Sequence, residues 1–178
     1  MATRLILFTG DRHAGKTTAV GKLAQSLQEN GFKVAGFLSL ACCQDGKLIG
    51  YDIFDLTSQK RLPLARDFLG KKVVKRRFEF NDDTFGYVHK RLLDKEILEA
   101  DLVIIDEFGP LELEGGGYRE TIDELLGHKS LCLLMVVRNL IVEQVKKLYQ
   151  RFDPAVVEAL QDDTKQEVMK ILAGNKGR

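Results

Sequence analysis

The stretch Arg4-Leu5-Ile6-Leu7-Phe8-Thr9-Gly10-Asp11-Arg12-His13-Ala14-Gly15-Lys16-Thr17-Thr18 decides the fold. Its first part is a short apolar run closed by Gly10, which reads as a strand buried on both faces, as parallel sheets require. Its last part opens a helix. From Lys16 to Asn30 the apolar residues Ala19, Val20, Leu23, Ala24 and Leu27 recur at helical spacing, and Asn30-Gly31 supplies the stop. Between the two, Gly10 to Thr17 fits G-x-x-x-x-G-K-[ST], in the order of strand, loop and helix that gives this pattern its mechanism.

That mechanism is phosphate binding. Backbone N–H groups of the loop converge on phosphate oxygens, and the helix N-terminus adds its partial positive charge at the same place. Gly10, Asp11, Arg12, His13, Ala14, Gly15, Lys16, Thr17 and Thr18 are therefore the expected nucleotide-binding residues. Lys16 is expected on the β- and γ-phosphates, with a part in catalysis, and Thr18 on the α-phosphate. The Thr17 hydroxyl is an expected ligand of Mg²⁺, an ion that favours oxygen and shares it with substrate phosphates. Bulk at Gly15 is expected to obstruct the phosphate, and Arg12 and His13 are given only accessory roles.

A second site reads from Leu102-Val103-Ile104-Ile105-Asp106-Glu107, an apolar strand that delivers two carboxylates to the carboxyl end of the sheet. Ligands of open α/β sheets bind at that end. Asp106 is placed to hold the metal, directly or through water. Glu107 is the expected catalytic group that positions an attacking water and takes its proton, the alternative being a solvated surface glutamate.

Working outward, Lys33 to Leu40 and Lys47 to Leu56 read as strands joined at Asp45-Gly46, a hairpin signal. Thr57 to Arg77 reads as loop with short strands. A helix is expected from Asp82 or Asp83 to about Glu99, and a glycine-rich loop over Glu112 to Tyr118. Helix over Tyr118 to Leu126, strand over Ser130 to Val137 and helix over Val142 to Tyr149 follow. Asp153-Pro154 reads as a cap that opens a helix from about Ala155, with a second helix after Asp162 and a disordered tail at 174–178. Strands alternating with helices predict a layered, mostly parallel α/β sheet with one inserted antiparallel hairpin.

Composition narrows the classes. The 178 residues, 44% of them hydrophobic, suit one domain spanning 1–178 with a sizeable core. Lysine and arginine number 27 against 26 acidic residues, a net charge of +1 that gives no strong nucleic-acid or membrane signal. Three cysteines, two adjacent at Cys42 and Cys43, give neither a disulfide framework nor a metal spacing, and a reducing cytoplasm is expected. The longest apolar run, Leu131 to Val137, is far too short to cross a bilayer. The three histidines lack the clustering of a metal site, so His89 and His128 are read as structural.

Ile105-Asp106-Glu107-Phe108-Gly109-Pro110-Leu111-Glu112-Leu113 is similar to I-D-E-[IV]-G-[PK]-[ML]-E-[LM], a motif of the THEP-type nucleoside-triphosphatases. The Gly36-Phe37 step and the Asp45 to Tyr51 hairpin also resemble that family, which includes a cancer-related human member. The resemblance covers roughly Leu5 to Tyr149 and implies an α/β P-loop NTPase fold, a RecA-like or kinase-like three-layer sandwich. It implies slow, Mg²⁺-dependent hydrolysis of several nucleoside triphosphates, ATP and GTP among them, with Gly10, Gly15, Lys16, Thr17, Asp106 and Glu107 in the roles given above. Where the family commonly carries charged residues in the hairpin, this chain has Ala41, Cys43 and Leu48. Base preference is thereby the least transferable property.

Glu112 falls on a motif position and either orients Glu107 or a metal-bound water or is structural. Arg138, directly after an apolar strand, either senses the γ-phosphate, contacts the base or is a solvated loop arginine. Arg76, Arg77 and Arg119 are further positive groups with no spacing to single one out. Two rival functions remain open: a kinase passing the γ-phosphate to a nucleotide, nucleoside or other small acceptor, and a nucleotide-dependent switch timed by slow hydrolysis, with the Gly115 to Gly117 loop and the C-terminal helices as moving or docking parts.

Overall fold

A computed structural model describes residues 3–11, 14–67, 78–128 and 130–174. Arg12, His13, the 68–77 stretch with Arg76 and Arg77, and 175–178 lie outside the described residues.

The opening unit is as expected: β1 (Arg4–Gly10), then α1 (Lys16–Glu29). There follow β2 (Val34–Gln44), β3 (Lys47–Asp55), β4 (Arg61–Asp67), β5 (Phe78–Phe80), α2 (Asp82–Leu92), α3 (Lys95–Leu98) and β6 (Leu102–Phe108). The chain continues through α4 (Pro110–Leu113), α5 (Arg119–Gly127), β7 (Cys132–Arg138), α6 (Val142–Leu148), β8 (Ala155–Glu158) and α7 (Thr164–Ala173). The eight strands form one sheet in the order β5-β4-β3-β2-β6-β7-β1-β8. β2, β6, β7, β1 and β8 are mutually parallel, and β3, β4 and β5 extend the β2 side as an antiparallel wing.

Helices cover both faces, which completes the three layers. On one face Val20, Leu23 and Leu27 of α1 and Val168 and Leu172 of α7 pack on Ile6, Phe8, Ile104 and Leu134. On the other, Val88 and Leu92 of α2, Ile122 and Leu125 of α5 and Val145 of α6 pack on Leu7, Val103, Ile105 and Met135. A strand sandwiched in this way alternates between two apolar environments, so β1, β6 and β7 read as unbroken apolar runs. Burying each such side chain stabilises the fold by about 1.5–3 kcal/mol.

Gly36 sets the seam between wing and parallel half. It lies at φ +110° on the rung opposite Ile104, where a Cβ would fall 2.0 Å from the Ile104 carbonyl oxygen. Only glycine permits that approach of β2 to β6.

Three expectations are corrected. Residues 155–158 are the strand β8, not a helix: Asp153 is left-handed (φ +45°) and closes the 3₁₀ turn before it instead of opening a helix, and Val156-Val157 pair parallel with β1 and bury Val157. The second helix is found where it was expected after Asp162, as α7 from Thr164, but Gly174, expected to be disordered, ends it and accepts a 2.8 Å hydrogen bond from Arg4. The helix expected from 82 to 99 breaks at Leu93-Asp94 into α2 and α3. The segment after Thr57, expected as loop with short strands, holds β4, whose Pro63 pairs with β3 beyond the reach of β5, a position where a missing N–H costs no ladder bond.

Candidate functional site

β1 and β6 end at the same edge of the sheet with β7 between them, so the glycine loop and the paired carboxylates meet where the sequence placed them. Gly15 precedes α1 at φ +82°, and nothing crowds the place its Cβ would take. Within the protein the demand for glycine there is conformational. The Lys16 ammonium donates to the carbonyls of Gly10 (2.9 Å) and Asp11 (2.6 Å), which folds the side chain over the loop. Burial lowers the Lys16 pKa and the charge of Arg138 lowers it further, against the opposing pull of Glu107, Asp106 and Asp11. These five side chains share one electrostatic site.

Asp106 is only 4% exposed. The Ser39 N–H donates to its Oδ2 at 3.0 Å, and the Thr17 hydroxyl is its side-chain partner. Burial raises its pKa to about 6, aided by Glu107, while the Ser39 and Thr17 hydrogen bonds and Lys16 act the other way. Thr17 and Asp106 thus join the loop helix to the end of β6 as a set of oxygen donors. Among the described residues no group of three or more His, Cys, Asp or Glu side chains could hold a metal. One carboxylate and one hydroxyl nevertheless fit Mg²⁺, which keeps several waters and completes its shell with phosphate oxygens.

Glu107 differs from its neighbour in backbone and exposure. Its φ is +87°, and between Ile105 and Phe108 the pairing with β7 slips by one residue. A bulge of this kind re-aims a side chain at the end of a strand. The carboxylate is 41% exposed and makes an ion pair with Arg138 through Nη2. Arg138 ends β7 on the rung of Gly10, the first residue of the loop.

Thr18 is exposed in the first turn of α1. Ala14 donates to the Asp11 carbonyl at 3.2 Å, tightening the loop. Glu112 is buried; its Oε2 accepts from the Gly109 N–H (2.8 Å) and its Oε1 from the Tyr118 N–H (3.4 Å), and burial raises its pKa. The bonds found for this carboxylate tie the ends of the glycine-rich loop together. Gly117 (φ +58°) makes room for it, since a Cβ there would lie 2.0 Å from Oε1. Arg119 bonds Asp123 at 2.8 Å, lies over the Tyr149 ring and donates to the Glu112 carbonyl at 3.4 Å. His89 bonds Thr121, as a structural histidine does.

Sequence reasoning missed Thr9, Ser39 and Asn139. The Thr9 hydroxyl donates to Asn139 Oδ1, and Asn139 Nδ2 donates to the Asp11 carboxylate at 3.1 Å, which links the end of β7 to the loop. The signal for Asn139 was its place next to Arg138 at the end of an apolar strand. Ser39 acts through its backbone and left none.

A family model described as NTPase matches residues 5–173. A protein named nucleoside-triphosphatase THEP1 from Methanothermobacter thermautotrophicus is 32% identical over 143 residues, 80% of each chain. A protein of the same name from Thermotoga sp. is 29% identical over 175 residues, 97% of each. The solution structure of a human cancer-related nucleoside triphosphatase superposes with a TM-score of 0.70 over 98% of this chain and 99% of that one; at 24% identity this likeness speaks for the fold. With the loop, the paired carboxylates and the sheet order in place, the match over nearly the whole sequence settles the kinship: the chain belongs to the NTPase family.

Proposed function

We propose that the chain, acting as one domain, hydrolyses nucleoside triphosphates to the diphosphate and phosphate with Mg²⁺. The observation that carries this reading is the convergence of Lys16, Thr17, Asp106 and Glu107 at one sheet edge, in a member of the NTPase family. The loop N–H groups, with Lys16, bind the β- and γ-phosphates in the field of the α1 N-terminus. Thr17 and Asp106 would hold magnesium, and the chemistry it would supply when bound is neutralisation of charge on phosphate oxygens. Glu107 orients a water and accepts its proton as the water oxygen bonds to the γ-phosphorus and the bond to the bridging oxygen breaks. The diphosphate leaves with that oxygen. The described residues include no helix long and apolar enough to cross a membrane. The free Cys42, Cys43 and Cys132 support a cytoplasmic setting.

The test is phosphate release from ATP, GTP, CTP and UTP with Mg²⁺ and no acceptor, for wild type and Glu107→Gln. Release in wild type, lowered roughly 10²–10⁴-fold in the variant with nucleotide binding retained, is expected. Binding without release in wild type would replace this reading with a kinase or a partner-timed switch.

A further inference from the structure

Phosphoryl transfer leaves charge on the γ-phosphoryl oxygens that an arginine commonly meets, and the position of such a group is what the chain must supply. Most described arginines are committed elsewhere. Arg61 and Arg66 flank Asp52, Arg91 serves Asp55, Arg119 is held by Asp123, Arg4 reaches the end of α7 and Arg151 lies over Phe152. Arg138 is the described arginine that faces the loop.

Its placement has three independent supports. Arg138 shares a rung with Gly10 at the carboxyl end of the sheet. The next residue, Asn139, is anchored to both Thr9 and Asp11, which fixes the end of β7 against the loop. Its guanidinium pairs with Glu107, whose positive φ and the adjoining register slip turn that carboxylate out of the strand. Backbone held in a sparsely populated region persists only where its surroundings enforce it.

Resting on the hydrolytic reading above, we propose that Arg138 is the in-chain arginine that meets the charge on the γ-phosphoryl group, and that its ion pair with Glu107 holds base and charge acceptor as one unit. A guanidinium carries five N–H donors in a fixed fork, so donors remain for phosphoryl oxygens when Nη2 serves Glu107. Arg138 addresses the γ-phosphate alone and so distinguishes triphosphate from diphosphate.

The experiment compares wild type, Arg138→Ala, Arg138→Lys and, as a control, Arg151→Ala. It reads turnover, equilibrium affinity for ADP and for a non-hydrolysable β,γ-imido analogue of ATP, and formation of the ADP–aluminium fluoride complex. Arg138→Ala is expected to lower kcat roughly 10²–10³-fold. It is also expected to leave ADP affinity within about twofold, weaken the analogue about tenfold and fail to form the fluoride complex, in keeping with a contact made to the γ position only. Arg138→Lys should restore analogue affinity more than kcat, because an ammonium lacks the planar fork that serves two partners. Arg138→Ala combined with Glu107→Gln should be little slower than the slower single variant, as for groups acting together. Turnover of Arg138→Ala within about threefold of wild type, or equal loss of ADP and analogue affinity, overturns the proposal. Absence of phosphate release in wild type would instead count against the hydrolytic reading, and the split between ADP and analogue affinities would still decide whether Arg138 reads the γ-phosphate.

Discussion

Asp55 in the antiparallel wing and Asp106 at the end of β6 are both almost completely buried, at 0% and 4% exposure, yet they are opposite kinds of residue. Asp55 accepts from the N–H groups of Thr57 and Ser58, from the hydroxyls of Ser58 and Tyr87 and from Arg91, all within 3.2 Å. Burial pushes its carboxyl upward, but these bonds outweigh burial and hold it below the usual aspartate range. Asp106 has the Ser39 N–H and Thr17, and burial wins. A buried carboxylate with a full set of donors is a structural joint. One left short of donors, as Asp106 is, is where the proposed Mg²⁺ would bind.

The sharpest way to break this contrast is to remove each charge in turn. Asp55→Ala strands the N–H groups of Thr57 and Ser58, at about 1–3 kcal/mol for each buried donor left unpaired, while Arg91 keeps Asp94 and Glu96. Asp106→Asn removes an under-compensated charge, so its stability in metal-free buffer at pH 7.5 should equal or exceed that of wild type, while Mg²⁺-dependent turnover is lost. Urea unfolding and phosphate release measure the two quantities. Equal destabilisation by the two substitutions would erase the distinction.

The second test uses pH. The folded pKa of Asp106, about 6, lies above its ordinary value of 3.8, so folding favours the protonated form. Its stabilisation is present below about pH 4 and is lost as pH rises through about 6, a change of roughly 2–3 kcal/mol at 1.36 kcal/mol per unit. Glu112, also raised by burial, acts in the same direction. Asp52 and Asp55, both lowered, give stability that is present above the ordinary aspartate range and lost as the solution is acidified through their depressed values. The metal-free protein should therefore have its highest melting temperature near pH 5 and a lower one at pH 7.5. Mg²⁺, binding the ionised carboxylate, should restore the loss at pH 7.5 more than at pH 5. A pH profile unchanged by Asp106→Asn would show that another group governs it.

The two regions also differed in how far the sequence could be read. In β1, α1 and β6 the signals are local and agree with their neighbours: an apolar run, a glycine loop, an amphipathic helix, an acid at a strand end. The loop, Lys16, Thr17, Asp106 and Glu107 could be placed from these alone. The wing is held by pairings distant in sequence, such as Asp52 with Arg61 and Arg66, which carry no period. Short strands were expected after Thr57, but the bounds of β4 could not be read, because the tolerated place of Pro63 depends on where β5 ends. β8 was mistaken for a helix because an Asp-Pro step looks like a cap, whereas the parallel partnership with β1 that decides the matter lies about 150 residues away. The slip that turns Glu107 outward is likewise a property of the pair β6 and β7 and of neither sequence alone.

The smallest expected effect concerns Glu112, which resembles Asp106 in burial and in the direction of its shift, but Asp55 in its partners. Its raised pKa means that burial disfavours the ion, so Glu112→Gln removes a burden and keeps the oxygen that accepts from Gly109 at 2.8 Å. The amide nitrogen then faces the Tyr118 N–H in place of an acceptor 3.4 Å away, a loss of about 1 kcal/mol or less for so long a contact. If Glu112 only closes the loop from Gly109 to Tyr118, kcat of Glu112→Gln should stay within about tenfold of wild type, and the larger loss should appear in Glu112→Ala, which strands both N–H groups. A fall in kcat as deep as that of Glu107→Gln, at unchanged melting temperature, would move Glu112 from the scaffold to the chemistry. The distinction between a satisfied and an under-satisfied carboxylate would then fail at its third example, because a residue whose oxygens both serve the loop would be acting on the substrate as well.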